Sequence, residues 1–232
     1  MPRVIRLLLV LFFTSLMASS AFVALKVPFL APGVPRALPG AEALYQWHGW
    51  VFGSHVISAQ LPVIWLTGAL IGARRGGLAV ALYVALGLGG LPIFTNGGGF
   101  AYVKQPTFGY LAAFLPAVLL VGINAGTPHF GRIWRGMALG LVAVQGFGLI
   151  YEVVLRGQLF SLDGWGVLTR NQVLQFLPGQ LALLTATAFA VACWRKLEAA
   201  YENWSARRRA DQDGPMLPEF DDEPEPEAPP LD

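Results

Sequence analysis

Cysteine occurs once in these 232 residues, at Cys193 inside an apolar run, so neither a disulfide within the chain nor a cysteine-based metal site is available. Histidine is nearly as scarce, and His48, His55 and His129 fall in separate connections that make no ligand set. None of the three lysines follows a glycine, which excludes a Gly-Lys-Ser/Thr phosphate loop and ATP hydrolysis through one. A Ser–His pair in a shared motif, a His-Glu-x-x-His and a pair of intramembrane aspartates are also missing. A membrane-embedded enzyme, such as an intramembrane hydrolase or a lipid-modifying transferase, would therefore have to work with residues the chain barely has. The chain reads as a non-enzyme without a cofactor.

Charge is thin as well. It reaches 13% of residues against 55% hydrophobic, with a mean hydropathy of +0.54, a balance that a domain in water could not cover with polar surface. The solvent implied is a bilayer. Acids are almost confined to the end: nine of the fourteen lie in Asp211–Asp232, where there is no Lys or Arg, leaving five acids against sixteen bases before residue 211. Those bases come in small groups between apolar runs, which is the pattern of membrane orientation signals and not of nucleic-acid binding.

Crossing the hydrocarbon core as a helix takes about 20 apolar residues, because every backbone donor and acceptor must be satisfied within the segment. Six stretches qualify: Leu7–Leu25, Val56–Ala73, Gly76 to about Gly90, Thr107–Asn124, Gly136–Val154 and Asn171–Trp194. With the N-terminus inside, eleven bases face the cytoplasm: Arg3, Arg6, Arg74, Arg75, Arg132, Arg135, Arg195, Lys196, Arg207, Arg208 and Arg209. Five face out: Lys26, Arg36, Lys104, Arg156 and Arg170. The asymmetry predicts an all-α membrane protein with six transmembrane helices, N-in and C-in, in a bacterial inner membrane. Residues 1–200 form the transmembrane domain and 201–232 a cytoplasmic tail, whose acidic end, with six prolines after residue 210, is expected to be disordered. Arg3 and Arg6 before an apolar run that ends in Ala18-Ser19-Ser20-Ala21 also suit a signal peptide, but the run is longer than a usual signal core and is read as a retained helix.

Lys26–His55, between the first two spans, is rich in Pro and Gly, with Tyr45, Trp47, His48 and Trp50 near its end. Such aromatics suit an interfacial helix that anchors the connection, with a lid over a ligand as the alternative. The connection between spans three and four is more unusual. Gly87, Gly89, Gly90 and Pro92 precede Phe94, and Gly97, Gly98 and Gly99 follow Asn96, so the backbone there must be irregular. Irregular backbone at this depth is tolerated where it is buried in protein or lines a cavity, and a small ligand is one reason for it, an ordinary flexible loop the other.

Leu91-Pro-Ile-Phe94, the glycines at 97–99 and Gln105-Pro-Thr-Phe-Gly-Tyr-Leu111 together resemble the signature of the BioY biotin-transport family. The similarity extends upstream through Gln60, Thr67-Gly-Ala-Leu-Ile-Gly72 and Arg74–Tyr83, and more weakly to Phe176-Leu-Pro-Gly-Gln180. The resemblance implies a substrate-binding S component of an energy-coupling-factor (ECF) transporter. It would hold biotin, or another vitamin-like molecule, beneath its outer loops and rely on a transmembrane coupling subunit and two ATPase subunits for energy. Biotin's fused ring suits aromatic neighbours, for which Phe94, Phe100, Tyr102, Tyr110 and Trp65 are candidates. Its ureido group suits the amides of Asn96, Gln105, Gln180 and Gln60 and the backbone of Gly97, Gly98 and Gly99, and its carboxylate suits Lys104. The chain departs from the family at helix six, where Gln180 and Leu183 stand in place of an acid and a lysine that bind ligand in many members.

Glu152 is an acid inside a predicted span, placed four residues before Arg156, a spacing that allows an ion pair. Small residues four apart, Thr14/Ala18, Gly68/Gly72 and Ala81/Ala85, would let helices approach closely, with docking on a coupling subunit the alternative use.

Overall fold

The computed structural model describes residues 3–32, 42–47, 50–157, 161, 164–166, 169–174 and 176–213. Helices dominate: α1 (Arg3–Ser20), α2 (Gln60–Leu88), α3 (Thr107–Ala112), α4 (Phe114–Asn124), α5 (Phe130–Leu155) and α6 (Leu177–Asp213). Four helical stretches, Gln60–Leu88, Thr107–Asn124, Phe130–Leu155 and Leu177–Arg209, are long and apolar enough to cross a membrane, and Val4–Ser20 is a shorter apolar helix.

The 29-residue α2 is a hairpin, not one rod. Gly72 takes φ 80 and ψ 170, a conformation open to glycine and strained for other residues. On its two sides the chain runs back on itself: a Cβ on Gly76 would lie 3.6 Å from the Gly68 Cα. The Gln60 side chain donates to the Tyr83 hydroxyl at 2.8 Å, whereas a straight helix would put residues that far apart in sequence about 35 Å from one another. Helix α4 lies across both arms. A Cβ on Gly68 would sit 2.7 Å from the Val118 carbonyl, and one on Gly122 only 2.2 Å from the Ala73 amide, so glycine is what lets these backbones touch. Between α3 and α4 the chain is interrupted at Ala113, because Pro116 has no N–H to give the Ala112 carbonyl.

The segment between α1 and α2 corrects the expectation of an interfacial helix. It forms three antiparallel strands, β1 (Ala24–Pro32), β2 (Glu42–Trp47) and β3 (Trp50–Ser58), in the order β1-β3-β2. Ala24 pairs with Ser58 and Pro32 with Trp50, and β2 carries a register shift between Ala43 and Tyr45. The molecule is thus mostly helical without being all-α. His48 lies outside the described residues. The sheet is rooted where α1 ends and α2 begins, with the Ala59 amide donating to the Val23 carbonyl at 2.9 Å and the Ser58 hydroxyl to the Ser20 carbonyl at 3.3 Å.

Helix ends also shift: α1 stops at Ser20, five residues before the expected Leu25, and α5 starts at Phe130, six before Gly136. A π-helical turn, Thr169–Leu174, precedes α6, which runs on to Asp213. Residues up to Arg195 make one compact unit and those from Lys196 a second. Within the first, one end collects bases: Arg74 and Arg75 follow the Gly72 turn, Arg135 donates to the Asn124 amide oxygen, and Arg195 donates to the Ala69 carbonyl at 2.7 Å. Of the small-residue pairs, Thr14 makes a close contact, its hydroxyl donating to the Ala79 carbonyl at 3.2 Å, while Ala81 and Ala85 are exposed.

Candidate functional site

At the opposite end of the unit from that basic turn, the chain between α2 and α3 folds back over the hairpin. Its turns need left-handed backbone at Gly90, Gly97 and Gly99, which have φ of 109, 106 and 92. The Gly99 amide donates to the Gly87 carbonyl at 2.7 Å, and Phe94 and Gly97 exchange both backbone hydrogen bonds at 3.0 Å. The amides of Gly97 and Gly99 are therefore used inside the loop, and what these two glycines supply is shape. Gly98 gives close approach, since a Cβ there would fall 2.0 Å from the Leu91 carbonyl oxygen.

This fold plants Phe94 in the core. Its ring meets Tyr83 edge-on at 5.4 Å between centroids and Tyr102, on the 3-10 turn Phe100–Lys104, at 4.7 Å. A Cβ on Gly87 would collide with the same ring, so that glycine is the floor on which Phe94 rests. Hydrogen bonds order the polar tips: Gln60 donates to Tyr83, Tyr83 to the Ile93 carbonyl at 3.3 Å, and Thr107 to the Tyr102 hydroxyl at 3.2 Å. Above them lies a cavity of about 200 Å³ lined by Gln60, Tyr83, Phe94, Asn96, Tyr102 and Tyr110, with Thr107 at its wall and Leu111 and Phe114 among its apolar lining.

Tyr110 joins this cavity to α5. Its ring occupies the space that a side chain on Gly148 would fill. Its buried hydroxyl lies near Glu152 and has no well-formed hydrogen bond among the described residues. Glu152 is itself held by Arg156, whose Nε and Nη2 donate to one carboxylate oxygen at 3.0 and 2.6 Å, so the expected pair is present. Tyr151 completes the junction, donating from its hydroxyl to the Val103 carbonyl and packing against Phe108.

The structure thus brings Gln60, Phe94, Asn96, Tyr102 and Tyr110 to one cavity. Asn96 donates to Gln105 at 3.5 Å, the weak limit of a hydrogen bond, which keeps Gln105 at the rim. Lys104 is exposed beside it and Phe100 is 78% exposed; neither is part of the lining. Trp65 is fully buried in a separate cluster with Ile133, Met137, Leu141 and Leu184, its indole N–H without a partner among the described residues. Gln180 is buried between helices, its amide oxygen accepting from Gln145 at 2.6 Å; the Gln145 oxygen has no partner among the described residues, and Gln145 lines an apolar groove of about 400 Å³ beside α5 and α6. Tyr83, Thr107 and Gln145 were not among the sequence candidates. Gln145 carried a usable signal, a buried amide in the middle of an apolar span.

Comparison with known proteins places the chain in a family. The model of the BioY family matches residues 2–200. A probable biotin transporter BioY of Lysinibacillus sphaericus is 36% identical over 109 residues, 46% of this chain and 53% of that protein, so the chain spans about half of that relative's length. A probable biotin transporter BioY of Methanothermobacter thermautotrophicus is 34% identical over 132 residues, covering 53% of this chain and 83% of its own. Among solved structures, the S component for biotin from an ECF-type ABC transporter superposes with a TM-score of 0.62 over 84% of this chain and 95% of that one, at 24% identity, which shows a shared fold. The family match takes in the hairpin, the glycine-shaped connection and the helices behind the cavity alike, and on that match the chain belongs to the BioY family.

Proposed function

We propose that this protein is the membrane subunit that binds biotin from the outer side of a bacterial inner membrane and carries it across, energised by a separate ECF module of one transmembrane coupling subunit and two ATPase subunits. The observation that carries the reading is the cavity under the Gly87–Gln105 connection, at the end of the bundle away from the turn that holds Arg74 and Arg75. Six crossings follow if the two arms of α2 count separately, with both termini cytoplasmic by the placement of bases. The arms, 60–71 and 73–88, are shorter than a full span, and the shortfall falls at the cavity end, where irregular backbone is tolerated because it lines a site.

Tyr83, Phe94 and Tyr102 offer apolar walls to a fused ring, and Asn96 and the Tyr110 hydroxyl offer hydrogen bonds to a ureido group. The cavity is smaller than the usual ligand pocket of about 300–1,000 Å³, so the exposed Asn96 side of the loop moves outward to admit the vitamin. Lys104 stands at the mouth for the carboxylate. A different vitamin-like ligand is the second reading, favoured by one observation: Gln180, where many relatives carry an acid, is neutral and already held by Gln145.

Calorimetry on the purified protein is expected to give submicromolar biotin affinity, about −8 kcal/mol or stronger. Asn96→Ala should weaken it by about tenfold or more, equivalent to about 1.4 kcal/mol. His129→Ala, at the α4–α5 turn, should not. Absence of heat and of competition at high micromolar biotin would overturn the biotin reading, and a vitamin panel run beside it identifies the other ligand.

A further inference from the structure

The family match ends at residue 200, and the helix does not. In the second compact unit, Leu197, Tyr201 and Trp204 are 67%, 67% and 51% exposed. Their spacing of four and then three residues puts them on one face of the helix. Tyr201 and Trp204 lie 5.9 Å apart between ring centroids, and the Arg208 guanidinium sits 4.5 Å over the Trp204 ring. Arg207 and Arg209 follow on the two flanks of that stripe. Between residues 196 and 209 the chain carries Lys196 and three arginines against Glu198 and Glu202, a net charge of +2.

We propose that Leu197–Arg209, the last part of α6, sits at the anionic cytoplasmic face of the membrane, with Leu197, Tyr201 and Trp204 in the headgroup region and Arg207–Arg209 on lipid phosphates. Three features select lipid as the occupant. Tyr and Trp favour headgroup depth, where an apolar ring and a polar tip are both accommodated. The arginines complement anionic lipid, and the guanidinium over Trp204 places cation and ring at the same depth. The segment is the last part of the helix Leu177–Arg209 that is long and apolar enough to cross the bilayer, so the surface is within reach without a linker. The acids from Asp211 onward are repelled by the same surface, which ends the docked stretch at Arg209.

The test uses the full chain in nanodiscs with brominated acyl chains, made either from zwitterionic lipid alone or with anionic phosphatidylglycerol. The emission of Trp204 is read as the difference between the native protein and Trp204→Phe. It is expected to be quenched in anionic discs, less so in zwitterionic ones, and to recover in high salt. Replacing Arg207, Arg208 and Arg209 by glutamine should shift the docked fraction towards free, by about fivefold per arginine. Unquenched Trp204 in anionic discs, or quenching equal in both lipids and untouched by the arginine substitutions, overturns the proposal. So does a Trp204→Phe protein that changes its oligomeric state, which would make a second copy the occupant. Biotin binding is not the readout, so failure here is separate from failure of the ligand assignment.

Discussion

Alanine at Gly98 is expected to lower biotin affinity by about 100-fold or more, the equivalent of about 2.7 kcal/mol. The added Cβ would fall 2.0 Å from the Leu91 carbonyl oxygen and 3.0 Å from that of Gly87. Both are backbone atoms, so no rotamer change relieves the contact and the loop must lift. Lifting it breaks the Gly99–Gly87 hydrogen bond and frees Phe94 from its place against Tyr83 and Tyr102, which removes the cavity's wall. Gly126→Ala is the control, because a Cβ there meets nothing within 4 Å. Calorimetry with biotin on both variants checks the prediction, and native affinity in Gly98→Ala would show that the connection does not shape the binding site.

That loop was legible because glycine and proline report on local backbone, and local backbone is what a single sequence encodes most directly. The apolar runs were legible for a similar reason, since bilayer thickness sets their length. The strands between α1 and α2 were not. Their pairing, Ala24 with Ser58 and Pro32 with Trp50, joins residues far apart in sequence, and Pro28 and Pro32 within β1 argued against a strand. Trp65 was misplaced because a helix with lipid on one side and protein on the other is apolar all round, so hydropathy does not say which face looks inward. Tyr83 was passed over for the converse reason. Its role depends on a contact with Gln60 across the hairpin: a turn at Arg74 and Arg75 was expected, but not which side chains meet across it. Gly72 itself had been read as half of a packing pair.

Glu152 and Arg156 give the second large effect, on stability. Glu152 is 2% exposed while Arg156 is about half exposed, so the acid is committed to the interior and the base reaches in to pair with it at 2.6 Å. Arg156→Ala should destabilise the protein by about 3–5 kcal/mol, because it breaks a buried ion pair by removing one partner. Arg156→Lys should recover part of this, since an ammonium supplies the charge but not the two fixed N–H groups that now converge on one oxygen. Replacing both residues by leucine should be milder than Arg156→Ala alone, as no charge is then left in the interior. Thermal unfolding in one detergent compares the three variants, and equal losses in Arg156→Ala and the double variant would mean that packing, not charge, is what the pair contributes. Binding adds a second readout. With Arg156 removed, Glu152 turns further towards the neighbouring Tyr110 hydroxyl, which draws that hydroxyl from the cavity, so biotin affinity should fall in Arg156→Ala and return in the double leucine variant even where the melting temperature does not.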